Sequence, residues 1–163
     1  MQGAGRRSAK RIVLREATGA DMPGIARVRF SVRENSATPA HLERLGITNE
    51  TVAASLLVDR KGWVAEHEGE IVAFSMADRA DRSIFALFVQ PEYEGRGLGS
   101  TLLDLALQWL WQQGARRVWL ATGPGTRAQG FYERRGWTQA GDGPGSDIRM
   151  ELGRPPGGEE ESP

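Results

Sequence analysis

The chain has 163 residues, of which 39% are apolar and 26% are charged, and its formal net charge is zero. This length and composition are typical of one globular domain with a core of its own. The neutral balance argues against a nucleic-acid or anionic-membrane partner, and no apolar run approaches the roughly 18 residues of a membrane span. Cysteine is absent and the histidines are His41 and His67 only, so we expect no disulfide, no thiol nucleophile and no metal.

The two ends of the chain differ in composition from its middle. Residues 1–10 contain Gly, Arg, Ser and Ala without an apolar pattern, and residues 153–163 are rich in Pro, Gly and Glu. Such segments cannot bury enough apolar surface to fold. We therefore expect a disordered basic arm over 1–10, a folded domain over 11–152 and a disordered acidic tail over 153–163. No apolar segment typical of a secretory signal opens the sequence, so a cytoplasmic location is expected.

The first half of the domain is predicted to mix short strands with helices. Apolar and alternating segments predict strands over 12–14, 63–66, 71–77 and 84–89. Helical stripes preceded by capping residues begin near Thr18 and Thr48, and a further helical stretch runs from His41 to Leu45. The first of these helices is expected to fade near Asn35. The short links between the later strands predict antiparallel hairpins.

The second half is predicted to alternate helices and strands. A long helix starts at Leu98 and is closed by Gly114. The remaining segments predict a strand over 117–121, a helix over 127–135 and strands over 137–140 and 148–152. The resulting order, β-α-α-β-β-β-α-β-α-β-β, predicts a mixed α/β fold with helices on both faces of a sheet.

The most informative stretch joins the strand over 84–89 to the long helix. Pro91 should end the strand, because it cannot donate to a sheet ladder, and Gly95, Gly97 and Gly99 follow at alternate positions. The first N–H groups of a helix have no intrahelical partner and favour an anion. The spacing matches neither a P-loop, which needs Gly-Lys-Ser/Thr, nor G-x-G-x-x-G, because Ser and Leu stand at positions 100 and 102. A plain loop turn is the alternative.

The six residues at 94–99, Glu-Gly-Arg-Gly-Leu-Gly, resemble the (Gln/Arg)-x-x-Gly-x-(Gly/Ala) signature of the GNAT superfamily of N-acetyltransferases. In that family, successive main-chain N–H groups of the signature hold the pyrophosphate of acetyl-coenzyme A. Glu94 departs from the signature, which has Gln or Arg at this position. Its carboxylate would repel a pyrophosphate unless it faces solvent, and Arg96 is the residue expected to offset it.

A second stretch, Ala-Gln-Gly-Phe-Tyr-Glu-Arg-Arg-Gly-Trp at 128–137, resembles the A-x-x-F-Y-x-x-x-G-F element of the same family. Trp137 replaces Phe, and Gly125 stands where members often carry an Asn that contacts pantetheine. The resemblance implies that the Tyr132 hydroxyl protonates the departing thiolate. A tyrosine, with a reference pKa of about 10, stays protonated at neutral pH and can donate. The alternative is that Tyr132 is only a core residue.

The resemblance also implies the fold and the cofactor. It implies the GNAT fold, with a mostly antiparallel sheet in which the strands 84–89 and 118–121 splay apart, and acetyl-coenzyme A as co-substrate. It implies that a main-chain N–H near Phe88 or Val89 holds the acetyl carbonyl, as preorganised donors do. The cofactor-binding residues that it implies are Phe88, Val89, Gly95, Arg96, Gly97, Leu98, Gly99, Ser100, Ala128 and Phe131.

The implied reaction is direct attack of a primary amine of a small molecule or peptide on the thioester in a ternary complex. A base must take a proton, because amines are mostly protonated at neutral pH. Glu34 is the leading candidate, since it follows the first helix, where the family's acceptor pocket forms. The other candidates are Glu66, Asp78 and Asp81. Each is also typical of a solvated carboxylate, and His67 is expected to be structural or solvated.

Two other functions remain open at this point. One is a non-catalytic acyl-coenzyme A binding sensor or interaction module on the same fold, which Tyr132 and the intact glycines argue against. The other is a transferase for tRNA-borne amines, which needs a basic face that the neutral balance does not predict. Many similar proteins pair, so a homodimer is one expectation. The sequence does not identify the acceptor amine.

Overall fold

The computed structural model describes residues 11–32 and 38–156 of the chain. Within them, seven strands form one sheet and five α-helices cover its faces. The strands are β1 (Ile12–Glu16), β2 (Arg60–His67), β3 (Glu70–Asp78), β4 (Ser83–Val89), β5 (Arg117–Thr122), β6 (Thr138–Asp142) and β7 (Ile148–Gly153). The α-helices are α1 (Met22–Arg29), α2 (Pro39–Arg44), α3 (Asn49–Ser55), α4 (Leu98–Gln112) and α5 (Arg127–Glu133).

The sheet consists of two antiparallel groups that meet at one parallel pair of strands. Its order is β1-β2-β3-β4-β5-β7-β6. All neighbours are antiparallel except β4 and β5, which are parallel and share a single residue pair, Ser83 with Trp119. Beyond that pair the two strands diverge toward their carboxyl ends. The mixed, mostly antiparallel fold with a splayed central strand pair is therefore confirmed.

A β-bulge in β4 lies close to the point of divergence. Along the β3–β4 ladder Met76 faces Ala86 and Ala77 faces Ile84, so Phe85 has no partner. Phe85 and Ala86 both pack on the same side of the sheet, as expected when one extra residue is inserted. A bulge bends its strand and increases the local twist. The bulge therefore helps to turn β4 away from β5.

Two apolar clusters fix the helices to the sheet. On one face, α4 packs over β2, β3 and β4, and α5, β5 and β7 contribute side chains to the same cluster, in which residues such as Leu102, Leu110 and Val118 have no exposed surface. On the other face, α1 packs over β3 through Val28 and Phe74. Burying one such side chain stabilises the fold by about 1.5–3 kcal/mol. The central strands are thus held from both sides.

The predicted order of elements is confirmed except for the helices between β1 and β2. The written order counts two helices there, although helical stretches are predicted at three places, near Thr18, His41 and Thr48, and the structure has a helix at each of them. The helices α2 and α3 are separate because each has its own threonine cap: Thr38 accepts from the His41 N–H, and Thr48 accepts from the Thr51 N–H, both at 3.1 Å.

The first helix ends earlier than predicted. It ends at Arg29, and Asn35, where it was expected to fade, lies outside the described residues. The Ser31 hydroxyl donates to the Val28 carbonyl oxygen at 2.6 Å, and such local bonds compete with a further helical turn.

The predicted arm over 1–10 lies outside the described residues and stays a prediction. Most of the predicted tail over 153–163 also lies outside the described residues and stays a prediction. Its first residues are ordered: β7 extends to Gly153, and Arg154 donates its N–H to the Arg116 carbonyl oxygen at 2.9 Å. No helix in the described ranges is long and apolar enough to cross a membrane.

A charged junction joins β1 to the start of α1. Arg15 donates from Nη1 and Nη2 to the two carboxylate oxygens of Asp21 at 2.9 and 2.8 Å, and from Nε to Glu66 Oε1 at 3.1 Å. The Thr18 N–H also donates to Asp21, at 2.8 Å. Asp21 is only 9% exposed. The hydrogen bonds from Arg15 hold the pKa of the Asp21 carboxyl below its usual range.

We expect Asp21→Asn to lower the free energy of unfolding at neutral pH by about 1–3 kcal/mol, because charged hydrogen bonds are lost. The folded-state pKa lies below the unfolded value of about 3.9, so the stabilisation is complete above that pH and is lost as the pH falls through the folded-state pKa. Urea unfolding, measured from neutral pH down through the folded-state pKa, should show that the free energies of unfolding of the wild type and of Asp21→Asn converge in acid. Asp104→Asn, at an exposed site on α4, is the control. A difference independent of pH would contradict this account.

Candidate active site

A cleft of about 580 Å³ opens where β4 and β5 diverge. Residues 84–89 of β4 and 120–122 of β5 form its two sides. Leu87 and Val89 pack with the α4 cluster, whereas Phe85 packs with the α1 cluster. The cleft therefore passes through the sheet. One mouth is on the α4 face and the other is on the α1 face.

The mouth on the α4 face is formed by the glycine turn and the start of α4. Gly95 and Gly97 have φ of 81° and 82°, a left-handed conformation that costs any residue with a Cβ atom about 1–2 kcal/mol. The Thr101 N–H donates to the Gly97 carbonyl oxygen at 3.1 Å and begins the helical ladder. The N–H groups of residues 98–100 therefore precede the ladder, and these residues line the cleft. This is an anion-binding arrangement.

Arg135 adds a cation to the same mouth. Its guanidinium donates from Nε and Nη2 to the Ser100 hydroxyl at 3.2 and 3.0 Å. It also lies 3.8 Å from the centroid of the Phe131 ring, and both arginine and phenylalanine line the cleft. The arginine is held against the first turn of α4, where it complements a bound anion.

Tyr132 lies on α5 and lines the cleft with only 6% of its surface exposed. Its ring makes edge-to-face contacts with Phe131 and Trp137, at centroid distances of 5.3 and 5.6 Å. Burial raises the pKa of the Tyr132 phenol, so the group is protonated at neutral pH. The hydroxyl makes no hydrogen bond to the described residues and is available to a ligand in the cleft.

The main chain of β4 presents hydrogen-bonding groups to the gap. The Gln90 N–H donates to the Val72 carbonyl oxygen at 2.8 Å. In an antiparallel ladder, hydrogen-bonded and non-bonded pairs alternate, so Phe88 also bonds β3 while Leu87 and Val89 do not. The N–H and C=O groups of Leu87 and Val89 therefore point toward β5, across the gap.

Comparison with known proteins agrees with this geometry. The family model described as Acetyltransferase (GNAT) family matches residues 24–137. The chain belongs to the GNAT acetyltransferase family. The solved structures that share its fold include the PaiA N-acetyltransferase from Thermoplasma acidophilum in complex with coenzyme A, at 19% identity and a TM-score of 0.74 over 88% of this chain and 99% of that one.

Another solved structure with this fold is the ribosomal-protein-S18-alanine N-acetyltransferase from Escherichia coli, at 19% identity and a TM-score of 0.67 over 88% of this chain and 94% of that one. Among curated proteins, a mycothiol acetyltransferase from Beutenbergia cavernae is 35% identical over 82 residues. That match covers 47% of this chain and 28% of the relative, so the chain spans under a third of the relative's length.

In the structure of this chain, most of the predicted cofactor-binding residues line one cleft. Those that line it are Phe88, Val89, Gly95, Gly97, Leu98, Gly99, Ser100, Ala128 and Phe131. The side chain of Arg96, in contrast, lies over the Tyr93 ring, 4.8 Å from its centroid, and does not line the cleft. Instead, Arg127 offsets Glu94, donating from Nη1 to Glu94 Oε1 at 2.7 Å.

The three predicted bases that the structure describes lie outside the cleft. Glu34 lies outside the described residues. Glu66 and Asp78 form ion pairs with Arg15 and Arg60, and Asp81 lies beside a separate pocket near Trp119. None of these three carboxylates lines the cleft. His67 is bonded through Nδ1 to the Tyr93 hydroxyl, in agreement with a structural role.

Among the charged lining residues that sequence reasoning missed are Arg135 and Asp147. Arg135 could have been found, because it follows Phe131 by four residues in the predicted helix over 127–135 and would share its face there. Asp147 gives no such signal. It lies in the turn before β7, and only the sheet order places that turn beside β5.

We expect Glu94→Gln to strengthen the binding of inorganic pyrophosphate by about 2- to 5-fold, because the change removes a negative charge that lines the anion mouth. Isothermal titration calorimetry at low ionic strength measures the effect, which should shrink as salt is added. Glu133→Gln, on α5 outside the cleft, is the matched control. Equal affinities for Glu94→Gln and the wild type would show that Arg127 already cancels the charge.

Proposed function

We propose that this protein transfers an acetyl group from acetyl-coenzyme A to a primary amine of a small molecule or peptide, by direct attack in a ternary complex. The observation that carries the proposal is that one cleft joins an anion site at the start of α4, the open main chain of β4 and the Tyr132 phenol. The coenzyme A complex of the T. acidophilum relative, which shares the fold, supports coenzyme A as the ligand.

The α4 face of the cleft suits the nucleotide end of the cofactor. The pyrophosphate accepts hydrogen bonds from the N–H groups of residues 98–100, which precede the helical ladder, and Arg135 supplies a positive charge beside them. The pantetheine arm then follows the gap and pairs with the main chain of Leu87 and Val89 in the manner of an added strand. The predicted main-chain donor near Phe88 or Val89 is therefore assigned to Val89, and Leu87 becomes a second candidate. Phe88 is dropped because its main chain bonds β3.

In the chemical step the amine nitrogen attacks the thioester carbonyl carbon, and a tetrahedral intermediate forms. A main-chain N–H of Val89 or Leu87 stabilises its oxyanion. The carbon–sulfur bond then breaks, the electron pair goes to sulfur, and Tyr132 donates a hydrogen bond to it. A phenol is a weaker acid than a thiol, with a pKa of about 10 against about 8.5, so Tyr132 keeps its own proton at the end of the step. The thiolate takes up the proton that the amine loses. Glu34 stays the predicted base.

The direct test is thiol release from acetyl-coenzyme A with a panel of primary amines, after calorimetry has established coenzyme A binding. Turnover with at least one amine is the expected result. Binding without turnover of any amine would favour the non-catalytic binding module. The expected cytoplasmic location, the domain boundaries and the homodimer stay predictions.

We expect Gly97→Ala to weaken coenzyme A binding by at least about 10-fold. The residue has a φ of 82° immediately before α4, so a Cβ atom costs about 1–2 kcal/mol and moves the N–H groups that hold the pyrophosphate. Gly114→Ala is the matched control, because Gly114 has a φ of 97° at the other end of α4, with no atom within 4 Å of an added Cβ at either site. Both variants should lose stability, and only Gly97→Ala should lose affinity in calorimetry. Equal affinities would overturn the assignment of the loop.

We expect Tyr132→Phe to lower kcat by about 10²- to 10⁴-fold if chemistry limits turnover, with coenzyme A affinity unchanged. The phenylalanine ring keeps the contacts with Phe131 and Trp137, so the melting temperature should change little. Tyr93→Phe is the control, since Tyr93 also lines the cleft but its hydroxyl is bonded to His67. If Tyr132→Phe keeps the wild-type kcat, the hydroxyl takes no part in the reaction and Tyr132 is only a core residue.

A further inference from the structure

The cleft carries a carboxylate that the proposed reaction does not use, and it belongs to the α1 face, because the adjacent Ile148 packs with the α4 cluster and successive side chains of a strand alternate between faces. Asp147 lies in the turn between β6 and β7 and lines the cleft. Its N–H donates to the Pro144 carbonyl oxygen at 3.0 Å, and its own carbonyl oxygen accepts from the Gly143 N–H at 2.9 Å. A Cβ atom at Gly143 would lie 3.2 Å from that of Ala121 and 3.3 Å from that of Asp147. The turn is thus packed closely against β5, which fixes the position of Asp147.

The charge of Asp147 is not neutralised by the described part of the chain. Its carboxylate has neither an ion pair nor a hydrogen bond there, whereas Glu94, the other carboxylate that lines the cleft, is paired with Arg127. Two cations lie behind the aromatic wall of the mouth on the α1 face. Arg60 stacks over Phe85 and is paired with Asp78, and Arg29 stacks over Phe88.

Neither Arg60 nor Arg29 lines the cleft. The other charged residues that line the cleft, Glu94, Arg127, Arg134 and Arg135, belong to the glycine turn, to α5 or to the residues just after it, on the α4 side. Among the described lining residues, the half-buried Asp147 is therefore the charged group on the α1 side that an acceptor meets. A partly buried carboxylate is stabilised by a cation. A ligand that brings a positive charge satisfies this requirement.

We propose that Asp147 binds a second ammonium group of the acceptor, so that the substrate is a small diamine or polyamine; this inference rests on the proposed acetyl transfer. A carboxylate paired with the reacting nitrogen would favour its protonated form, which has no lone pair for attack. The same carboxylate assists when it holds a different nitrogen of the substrate. Val32 and Phe85 line the same mouth and provide an apolar wall for the methylene chain between the two nitrogens.

The test compares three amines of matched chain length: 1,4-diaminobutane, butylamine and 4-aminobutanoate. The wild type should use them in that order of kcat/KM, with the diamine favoured over the monoamine by about 10- to 100-fold, the range typical of a charged hydrogen bond. Asp147→Asn should lose that preference mainly through KM for the diamine, with the butylamine reaction and coenzyme A affinity little changed. Asp142→Asn, at the exposed end of β6 and outside the cleft, is the matched control.

Three outcomes would overturn the inference. The first is an equal loss of kcat/KM for the diamine and the monoamine in Asp147→Asn, which would place the carboxylate at the reacting nitrogen. The second is no loss of kcat/KM for either amine. The third is a wild-type protein that prefers butylamine to the diamine. If no amine is acetylated, the proposed function fails separately, and the inference is then decided by calorimetry. Titration of 1,4-diaminobutane into the coenzyme A complex should show binding that Asp147→Asn weakens, and equal binding by both proteins would overturn the proposal.

Discussion

The early divergence of β4 and β5 is the constraint on which the rest of the site depends. Two neighbouring strands that pair at only one position leave main-chain N–H and C=O groups unbonded inside the sheet, and burying such groups without partners is costly. The bulge at Phe85 bends β4, and the two apolar clusters hold the strands from both faces. The gap therefore persists as a cleft that an extended ligand with amide groups can bond. The glycine turn and α5 then place an anion site and a phenol along the path of that ligand.

The parts of the fold and site that the sequence predicted are those that depend on neighbouring residues. The turn at 94–99 and the start of α4 follow from glycines at fixed offsets, which permit left-handed φ where a helix begins. The place of Tyr132 on α5 follows from a cap, Thr126, and a helical repeat. Local chemistry of this kind is visible in a single sequence. The residues alone do not predict the splay of β4 and β5, because it reflects a register between strands that are far apart in the chain; the family resemblance supplied that expectation.

The candidate residues that the sequence misplaced depend on contacts across the sheet. Glu66 and Asp78 are acidic residues near predicted strand ends, and nothing local distinguishes a catalytic carboxylate from one paired on the next strand. The structure pairs them with Arg15 and Arg60. Similarly, Arg127 rather than Arg96 offsets Glu94, because α5 packs beside the glycine turn. Asp147 lines the cleft because β7 lies between β5 and β6, a strand order that no local sequence pattern predicts.

The charges that line the two ends of the cleft differ in sign, which fits the two unlike substrates of the proposed function. The mouth on the α4 face combines the positive end of a helix with Arg135, and it therefore attracts a diphosphate. The mouth on the α1 face presents Asp147 and repels one. A cationic amine is repelled by the mouth on the α4 face and attracted by the mouth on the α1 face. Because the two mouths open on opposite faces of the sheet, opposite charges direct each substrate to its own entrance. In the proposed reaction, the two substrates would meet beside Tyr132 without either having to pass the other, as direct transfer in a ternary complex requires.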